Sequence, residues 1–125
     1  MAQIEICLDS DSRYLTQNIR TVCAAGIDSI ELCSQMAQQG LSVNAEALRQ
    51  ARAACNSYTQ LRVMLRPRAG NFIYSVSEQQ QIQAQLLQAA NLGADGIVVG
   101  ALTTDAQPDL PFLTGLLQQC RQLGL

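Results

Sequence analysis

Short apolar runs alternate with longer amphipathic segments along the whole chain. The short runs have the length and alternation of β-strands, and they cover residues 3–8, 29–33, 61–65 and 96–100. In the segment after each run, apolar residues recur at the spacing of an amphipathic helix. These spacings predict helices that end near Ala25, Asn56, Leu92 and Leu123. The chain is therefore predicted to repeat a strand–helix unit four times.

Polar residues suited to begin a helix precede each amphipathic segment. The first segment has several N-cap candidates within residues 9–12, and Asn44 and Asp109 are the candidates for the second and fourth. Ser75 and Glu78 have the spacing of a capping box at the start of the third. These signals support helices, rather than buried strands, between the apolar runs.

Strict strand–helix alternation implies parallel strands joined by right-handed crossovers. We therefore predict an α/β fold of the TIM-barrel type, with residues 1–125 forming a single (β/α)4 half-barrel domain. A complete (β/α)8 barrel takes about 250 residues, and half of one leaves two sheet edges unpaired. Three arrangements satisfy the pattern: a homodimer or higher homo-oligomer that closes the barrel, a piece of a longer protein, or a flavodoxin-like sheet with helices on both faces.

Composition excludes several classes of partner. The net charge is −2 and all eight basic residues are arginine, without a basic stripe, which argues against nucleic acid and anionic membrane surfaces as partners. No apolar run approaches the ~18 residues that span a bilayer, and the N-terminus lacks a signal-peptide pattern. The five cysteines fall within the predicted regular elements. We therefore expect a cytoplasmic protein with reduced thiols.

Successive strand residues point to opposite faces of a sheet. The aliphatic face of each predicted strand suits a helix layer, and the other face would line the barrel with Glu5, Cys7, Glu31, Cys33, Met64 and Arg66. One interpretation is a structural ion network of Glu5, Glu31 and Arg66, because buried charges must be paired. The other is an enzyme of unknown reaction, in which Arg66 holds an anion and a carboxylate moves a proton.

Cys7 and Cys33 are predicted at equivalent positions of neighbouring strands, which lie about 4.8 Å apart. Two thiolates at that distance would bind a soft ion such as Cu(I), with Met64 as a nearby thioether. The alternative is plain packing, since cysteine is a common small core residue. The chain has no histidine, which excludes a Ser-His-Asp triad.

The segment 66–75 is the most distinctive loop of the sequence. Arg66 and Arg68 flank a proline and would bind a small anionic ligand, with Asn71 and Tyr74 as further candidate ligand-binding residues. Gly70 allows unusual backbone angles or a close approach to a ligand. Alternatively, the arginines pair with the inner carboxylates and the aromatic residues close the barrel mouth.

Four motifs, in this order and at this spacing, resemble the CutC family: Glu5-Ile-Cys7, Asp28-Ser-Ile-Glu31-Leu-Cys33-Ser34, Met64-Leu-Arg66-Pro-Arg68-x-Gly70-x-Phe72-x-Tyr74-Ser75 and Leu92-Gly-Ala-Asp95-Gly96-Ile-Val-x-Gly100-Ala-Leu102. The resemblance covers nearly the whole chain. It implies a cytoplasmic (β/α)8 barrel that is often dimeric. It also implies a role in copper homeostasis, with Cu(I) bound at cysteines that match Cys7 and Cys33.

The chain departs from the family pattern at several positions. Ala69-Gly70-Asn71 replaces the usual Gly-Gly-Asp, and Gln38-Gln39-Gly40 replaces Glu-Gly-Gly, so carboxylates are lost in two loops. The Phe-His-Arg motif of the family's second half has no counterpart. An activity that needs those acids or that histidine is therefore not expected of this chain alone. The chain would then be either a piece of a longer protein or a diverged, non-catalytic half-barrel that self-assembles.

Overall fold

Four parallel strands alternate with four α-helices in the computed structural model, which describes residues 1–125. In chain order the elements are β1 (Glu5–Asp9), α1 (Leu15–Ala24), β2 (Ser29–Cys33), α2 (Ala45–Ala54), β3 (Gln60–Met64), α3 (Val76–Asn91), β4 (Gly96–Val98) and α4 (Leu110–Leu123). A short 3₁₀ helix (Met36–Gln38) lies in the loop between β2 and α2. Every predicted strand and helix is confirmed, and the predicted strand bounds and helix C-terminal ends differ from the observed ones by at most two residues.

The strands follow one another in the sheet in chain order, β1-β2-β3-β4, and every neighbouring pair is parallel. Each helix packs against the next one in sequence, so the helices form a single layer. A flavodoxin-like sheet has a different strand order and helices on both faces, so that alternative is wrong. The arrangement is half of a (β/α)8 barrel, as the alternation predicted.

Aliphatic side chains from the strands and helices form the core between the two layers. One buried cluster joins β2 and β3 to α1 and α2, and the other joins the chain around β4 to α3 and α4. Ile19, Leu61 and Ile82 are fully buried, and such side chains each contribute roughly 1.5–3 kcal/mol of transfer free energy. The core therefore lies wholly on the helix side of the sheet.

Three of the predicted helix starts are confirmed by their hydrogen bonds. The Asn44 side chain accepts from the Ala47 backbone N–H at 2.8 Å, and Asp109 caps α4 in the same way. Ser75 and Glu78 form the complete capping box of α3. Each of these caps satisfies backbone donors that a helix leaves free at its start.

The first helix begins later than the predicted caps. Its N-cap is Tyr14, which makes no side-chain cap bond. The candidates lie in the preceding turn, where Asp9 accepts from the Asp11 backbone and Ser12 from the Tyr14 backbone. Short polar side chains form such local bonds in turns in competition with capping, which explains why the prediction for α1 was wrong.

The face of the sheet opposite the helices is open. Glu5 and Cys7 on this face are exposed, and Glu31, Arg62 and Met64 are half-buried. β1 and β4 each pair with one neighbour only. No helix is long and apolar enough to cross a membrane.

Candidate functional site

Three sulfur atoms meet near the C-terminal ends of β1 and β2. Cys7 Sγ lies 3.2 Å from Cys33 Sγ, and Cys33 Sγ lies 3.2 Å from Met36 Sδ. We call Cys7, Cys33 and Met36 the sulfur cluster. Cys7 is exposed, Met36 is 45% exposed and Cys33 is 1% exposed. The cluster is thus accessible from solvent, while its middle sulfur atom, that of Cys33, is buried.

The sequence suggested that Cys7 and Cys33 occupy equivalent positions on neighbouring strands, and that prediction is wrong. The register pairs Cys7 with Glu31 and Cys33 with Asp9, so the cysteines are diagonal neighbours. They still share a face because the offset is two residues, the period of a strand. The open face of the sheet therefore presents both thiols on the same side, at the strand ends where barrels carry their chemistry.

The thioether in contact with Cys33 is Met36, which the sequence analysis did not single out, while the predicted Met64 lies nearby, because one Cβ position at Gly40 is close to both Met64 Sδ and Cys33 Cβ. A Cβ at Gly40 would lie 3.0 Å from Met64 Sδ, so Met64 packs against the backbone of Gly40, whose φ is +91°. Met36 is the first residue of the 3₁₀ helix, which is flanked by Gln35 and Gln39 in the left-handed region at φ 50° and 66°. Sequence patterns did not reveal Met36 because it lies in a loop without hydrophobic periodicity.

Burial and negative charge act together on the sulfur cluster. Burial raises the pKa of the Cys33 thiol to about 12, with further contributions from the contact with Cys7 and from the charges of Glu31 and Asp9. Burial and the charge of Glu5 raise the pKa of Glu31. The negative charges of Glu31 and Asp9, which disfavour a thiolate, favour a cation at this position. A metal ion would therefore bind by displacing thiol protons.

Arg66 is buried and organises two loops. Its guanidinium donates to the backbone carbonyls of Gln38 at 3.0 Å, Gly40 at 3.1 Å and Gly70 at 3.0 Å. It also lies 5.0 Å from the centre of the Phe72 ring. The guanidinium thus joins the loop after β2 to the loop after β3, and three of its donor groups are used within the chain.

The predicted ion network of Glu5, Glu31 and Arg66 is wrong. Glu5 accepts instead from Arg62 at 3.0 Å and from the Ser29 hydroxyl at 2.7 Å. Arg66 is drawn away from these carboxylates by the loop carbonyls that it binds. Arg62 lies on the same open face, two residues before Met64 on β3, and its role as the partner of Glu5 was not predicted.

Arg68 is also bound within its own loop. Its Nε donates to Glu78 at 2.6 Å, and its Nη atoms donate to the backbone carbonyls of Asn71 at 2.7 Å and Ile73 at 2.8 Å. The guanidinium lies 5.1 Å from the centre of the Tyr74 ring. Glu78 raises the pKa of Arg68, and the hydrogen bond from Arg68 lowers the pKa of Glu78. The structure brings Arg68, Asn71 and Tyr74 together in a network that fixes the start of α3.

Two buried polar atoms in this region have no hydrogen-bond partner, Arg66 Nε and the Tyr74 hydroxyl oxygen. Burial raises the pKa of Tyr74. The two depressions of the surface lie elsewhere, one along the outer side of α1 and the other at the N-terminal end of the sheet around Tyr58 and Arg62. The predicted anion-binding residues therefore adjoin no open pocket.

The sulfur cluster fits Cu(I) by the chemistry of its donors. Thiolate and thioether sulfur atoms are the soft ligands that Cu(I) prefers. No group of three His, Cys, Asp or Glu side chains is arranged to hold a metal ion, and the third sulfur atom beside the two cysteines is the Met36 thioether. These features describe a half-barrel of the (β/α)8 class that carries soft donors at the C-terminal edge of its sheet.

Comparison with known proteins identifies the family. The family model described as the CutC family matches residues 2–125, and the chain belongs to this family. It is 36% identical over 124 residues to a family protein CutC of Pasteurella multocida, covering 98% of this chain and 48% of that protein. It is 33% identical over 120 residues to the human copper homeostasis protein cutC homolog, covering 96% of this chain and 41% of that protein.

A solved structure extends the comparison to the fold. The crystal structure of the putative copper homeostasis protein CutC from Streptococcus agalactiae matches with a TM-score of 0.82 at 27% sequence identity, covering 97% of this chain and 56% of that chain. The chain thus spans about half the length of the curated relatives that it matches. The family is one linked by name to copper homeostasis.

Proposed function

We propose that this chain binds Cu(I) through Cys7 and Cys33 and acts in copper homeostasis. The observation that supports the proposal most is the 3.2 Å contact between the two sulfur atoms at the open edge of the sheet. Two metal–sulfur bonds of about 2.3 Å each span more than this contact, so the thiols would separate slightly around an ion. The exposed Cys7 side chain has the freedom to make that adjustment.

A second cysteine pair serves as an internal comparison. Cys23 Sγ lies 3.7 Å from Cys55 Sγ, between α1 and the end of α2. Cys23 is buried, and Cys55 also contacts the backbone carbonyl of Thr59. The sulfur atoms of this pair are at a similar separation, but the pair lies in the helix layer, where cysteine acts as a small packing residue. A metal ion from solvent reaches the sulfur cluster far more easily.

The test is anaerobic titration of Cu(I) against a coloured chelator. We expect the unsubstituted protein to take up roughly one Cu(I) per chain, and we expect Cys7→Ser and Cys33→Ser each to abolish this uptake. Cys23→Ser is the matched control and should leave uptake unchanged. Normal binding by both the Cys7→Ser and the Cys33→Ser proteins would refute the proposal.

The proposed chemistry needs a reducing compartment. Thiols bind Cu(I) only while they are free and reduced, and all five cysteines are free in the structure. We therefore propose that the protein works in the cytoplasm, where thiols are kept reduced.

An enzymatic site with Arg66 and Arg68 holding a small anion has less support. Both guanidinium groups already donate to acceptors within the chain. Arg66 Nε and the Tyr74 hydroxyl are the groups left for a ligand, and they adjoin no pocket. The anionic ligand stays a prediction, and copper binding has the stronger geometric basis.

We also propose that the chain associates with a second copy of itself. The inner face of the sheet is uncovered, and the edges β1 and β4 offer backbone groups to further strands. Two copies that pair along these edges would cover both inner faces. Light scattering after gel filtration measures the solution mass that tests this association.

A further inference from the structure

We propose that Met36 is a third copper ligand, which makes the site a three-sulfur site of two thiolates and one thioether. This inference deepens the proposed function and rests on it. Its starting point is the 3.2 Å distance between Met36 Sδ and Cys33 Sγ, equal to the distance between the two cysteine sulfur atoms. Cys33 is therefore the middle atom of a continuous row of three sulfur atoms.

The position of Met36 is held by the loop, not by apolar packing. Met36 is 45% exposed and belongs to neither buried cluster of the core. Methionine normally fills gaps in apolar cores, and here its sulfur accepts a hydrogen bond from the Cys33 thiol at 3.2 Å. The burial of an apolar side chain therefore does not account for where this thioether lies.

The backbone around Met36 is fixed from both sides. Gln35 before it and Gln39 near the end of the 3₁₀ helix adopt left-handed conformations that are unfavourable for residues other than glycine. The Gln35 backbone N–H donates to Asp11 at 2.9 Å, which ties the loop to the end of β1. Arg66 binds the Gln38 carbonyl from the opposite side at 3.0 Å. The restrained loop therefore holds the Met36 sulfur at this position before a metal ion binds.

A thioether suits the charge of this site. Binding of Cu(I) to Cys7 and Cys33 would replace two S–H protons, which leave to solvent, and no electron is transferred. Glu31 and Asp9 already make the surroundings of Cys33 negative. A third thiolate would add another negative charge, whereas the neutral Met36 sulfur adds a soft donor without one.

The decisive experiment uses selenium as a label. Protein grown with selenomethionine and loaded with Cu(I) is measured by X-ray absorption at the copper edge. We expect a copper–selenium shell in the unsubstituted protein and in the Met64→Leu protein, and we expect its loss in the Met36→Leu protein. Met64→Leu is the matched control because its sulfur lies beside Gly40 on the same side of the sheet. Absence of the copper–selenium shell from the unsubstituted protein would overturn the inference.

Affinity gives the second readout. Chelator competition should show Cu(I) binding weakened about tenfold in Met36→Leu, comparable with the effect of losing a supporting group at a metal site, and unchanged in Met64→Leu. If Met36→Leu keeps its affinity while the cysteine variants lose binding, the role of Met36 is rejected and the proposed function stands. Normal binding in the cysteine variants would instead reject the proposed function on which it rests.

Discussion

Cys7 and Cys33 touch through their sulfur atoms at 3.2 Å although neither is the register partner of the other. Diagonal neighbours on adjacent strands have Cα atoms on the order of 7–8 Å apart, beyond the usual 4.4–6.8 Å or so of a disulfide. The geometry therefore allows contact between two thiols, whereas a disulfide bond between them would require the backbone to move. This arrangement keeps both sulfur atoms available to a metal ion.

The two thiols of this pair should differ in reactivity. Cys7 is exposed, while Cys33 is buried and has its pKa raised to about 12. Because the thiolate is the reactive form, we expect iodoacetamide to alkylate Cys7 at least roughly tenfold faster than Cys33 in the native protein. Peptide mass spectrometry over a time course measures both rates.

Denatured protein is the control for this labelling, since all five cysteines should then react at similar rates. Equal native rates for Cys7 and Cys33 would contradict the burial that the structure gives to Cys33. Prior loading with Cu(I) should protect Cys7, which connects the labelling to the proposed site.

Arg66 should be important for stability because it serves three backbone carbonyls that would lose their partner. We expect Arg66→Ala to lower the free energy of unfolding by about 2–4 kcal/mol, since the buried Gly40 carbonyl would lose a donor and the loops after β2 and β3 would lose their shared partner. Arg66→Lys should recover little of this loss, because an ammonium group lacks the planar fork that reaches Gln38, Gly40 and Gly70 together. Urea denaturation followed by circular dichroism measures the change.

Arg49→Ala is the matched control for Arg66. Arg49 is exposed and makes one 3.7 Å contact with Glu46 in the same helix, so its removal should change the free energy of unfolding by less than about 0.5 kcal/mol. A similarly small effect of Arg66→Ala would show that the loops hold together without the guanidinium.

The strands and helices were predictable from sequence because each depends on local periodicity and on caps such as Asn44 and Ser75. The sulfur cluster was predictable only in part. Strand alternation placed Cys7 and Cys33 on one face, but the two-residue offset between them depends on how β1 and β2 align. Alternation does not determine that alignment, because a shift of two residues leaves every side chain on the same face.

The partners of the arginines and the place of Met36 depend on loop conformations. Gln35 is left-handed because contacts with other parts of the chain hold it there, among them the hydrogen bond to Asp11. Arg66 turns toward carbonyls that come near only when two loops fold over the strand ends. No spacing in the sequence encodes these approaches, so the sequence did not predict Met36 and predicted a different ion network.

Glu78 should make stability depend on pH in the acidic range. Its pKa is lowered from the ordinary 4.5, first by the hydrogen bond from Arg68 and then by the Ser75 backbone N–H. A pKa that is lower in the folded state gives a stabilising contribution that is present above the unfolded pKa and is lost as the pH falls through the folded one. We therefore expect the free energy of unfolding to fall below about pH 4.5, and less steeply in Glu78→Gln, as measured by urea denaturation at a series of pH values.

Glu46→Gln provides the comparison for Glu78. Glu46 also lies in the first turn of a helix, but its side chain is 74% exposed and its contact with Arg49 is 3.7 Å long. The substitution changes the same chemical group without removing a capping box. A pH profile of Glu78→Gln that matches both the unsubstituted protein and Glu46→Gln would show that the Arg68–Glu78 contact does not couple protonation to folding.

Self-association should appear as a solution mass of twice 13.5 kDa, measured by light scattering after gel filtration. Val98 on β4 pairs with Met64 and so points to the open face. In a closed two-chain barrel, Val98→Asp would place a charge in the shared interior, which is unfavourable without a partner. We therefore expect this substitution to shift the protein to a mass of 13.5 kDa.

Leu117→Asp separates a specific interface from a general loss of apolar surface. Leu117 is 50% exposed on α4, in the helix layer, so Leu117→Asp should leave the larger mass unchanged. Circular dichroism confirms that both variants keep their helices. An unsubstituted protein that stays at 13.5 kDa over a wide concentration range would contradict the two-chain barrel. The sulfur cluster would then lie on a sheet face open to water, and Cu(I) exchange should be fast.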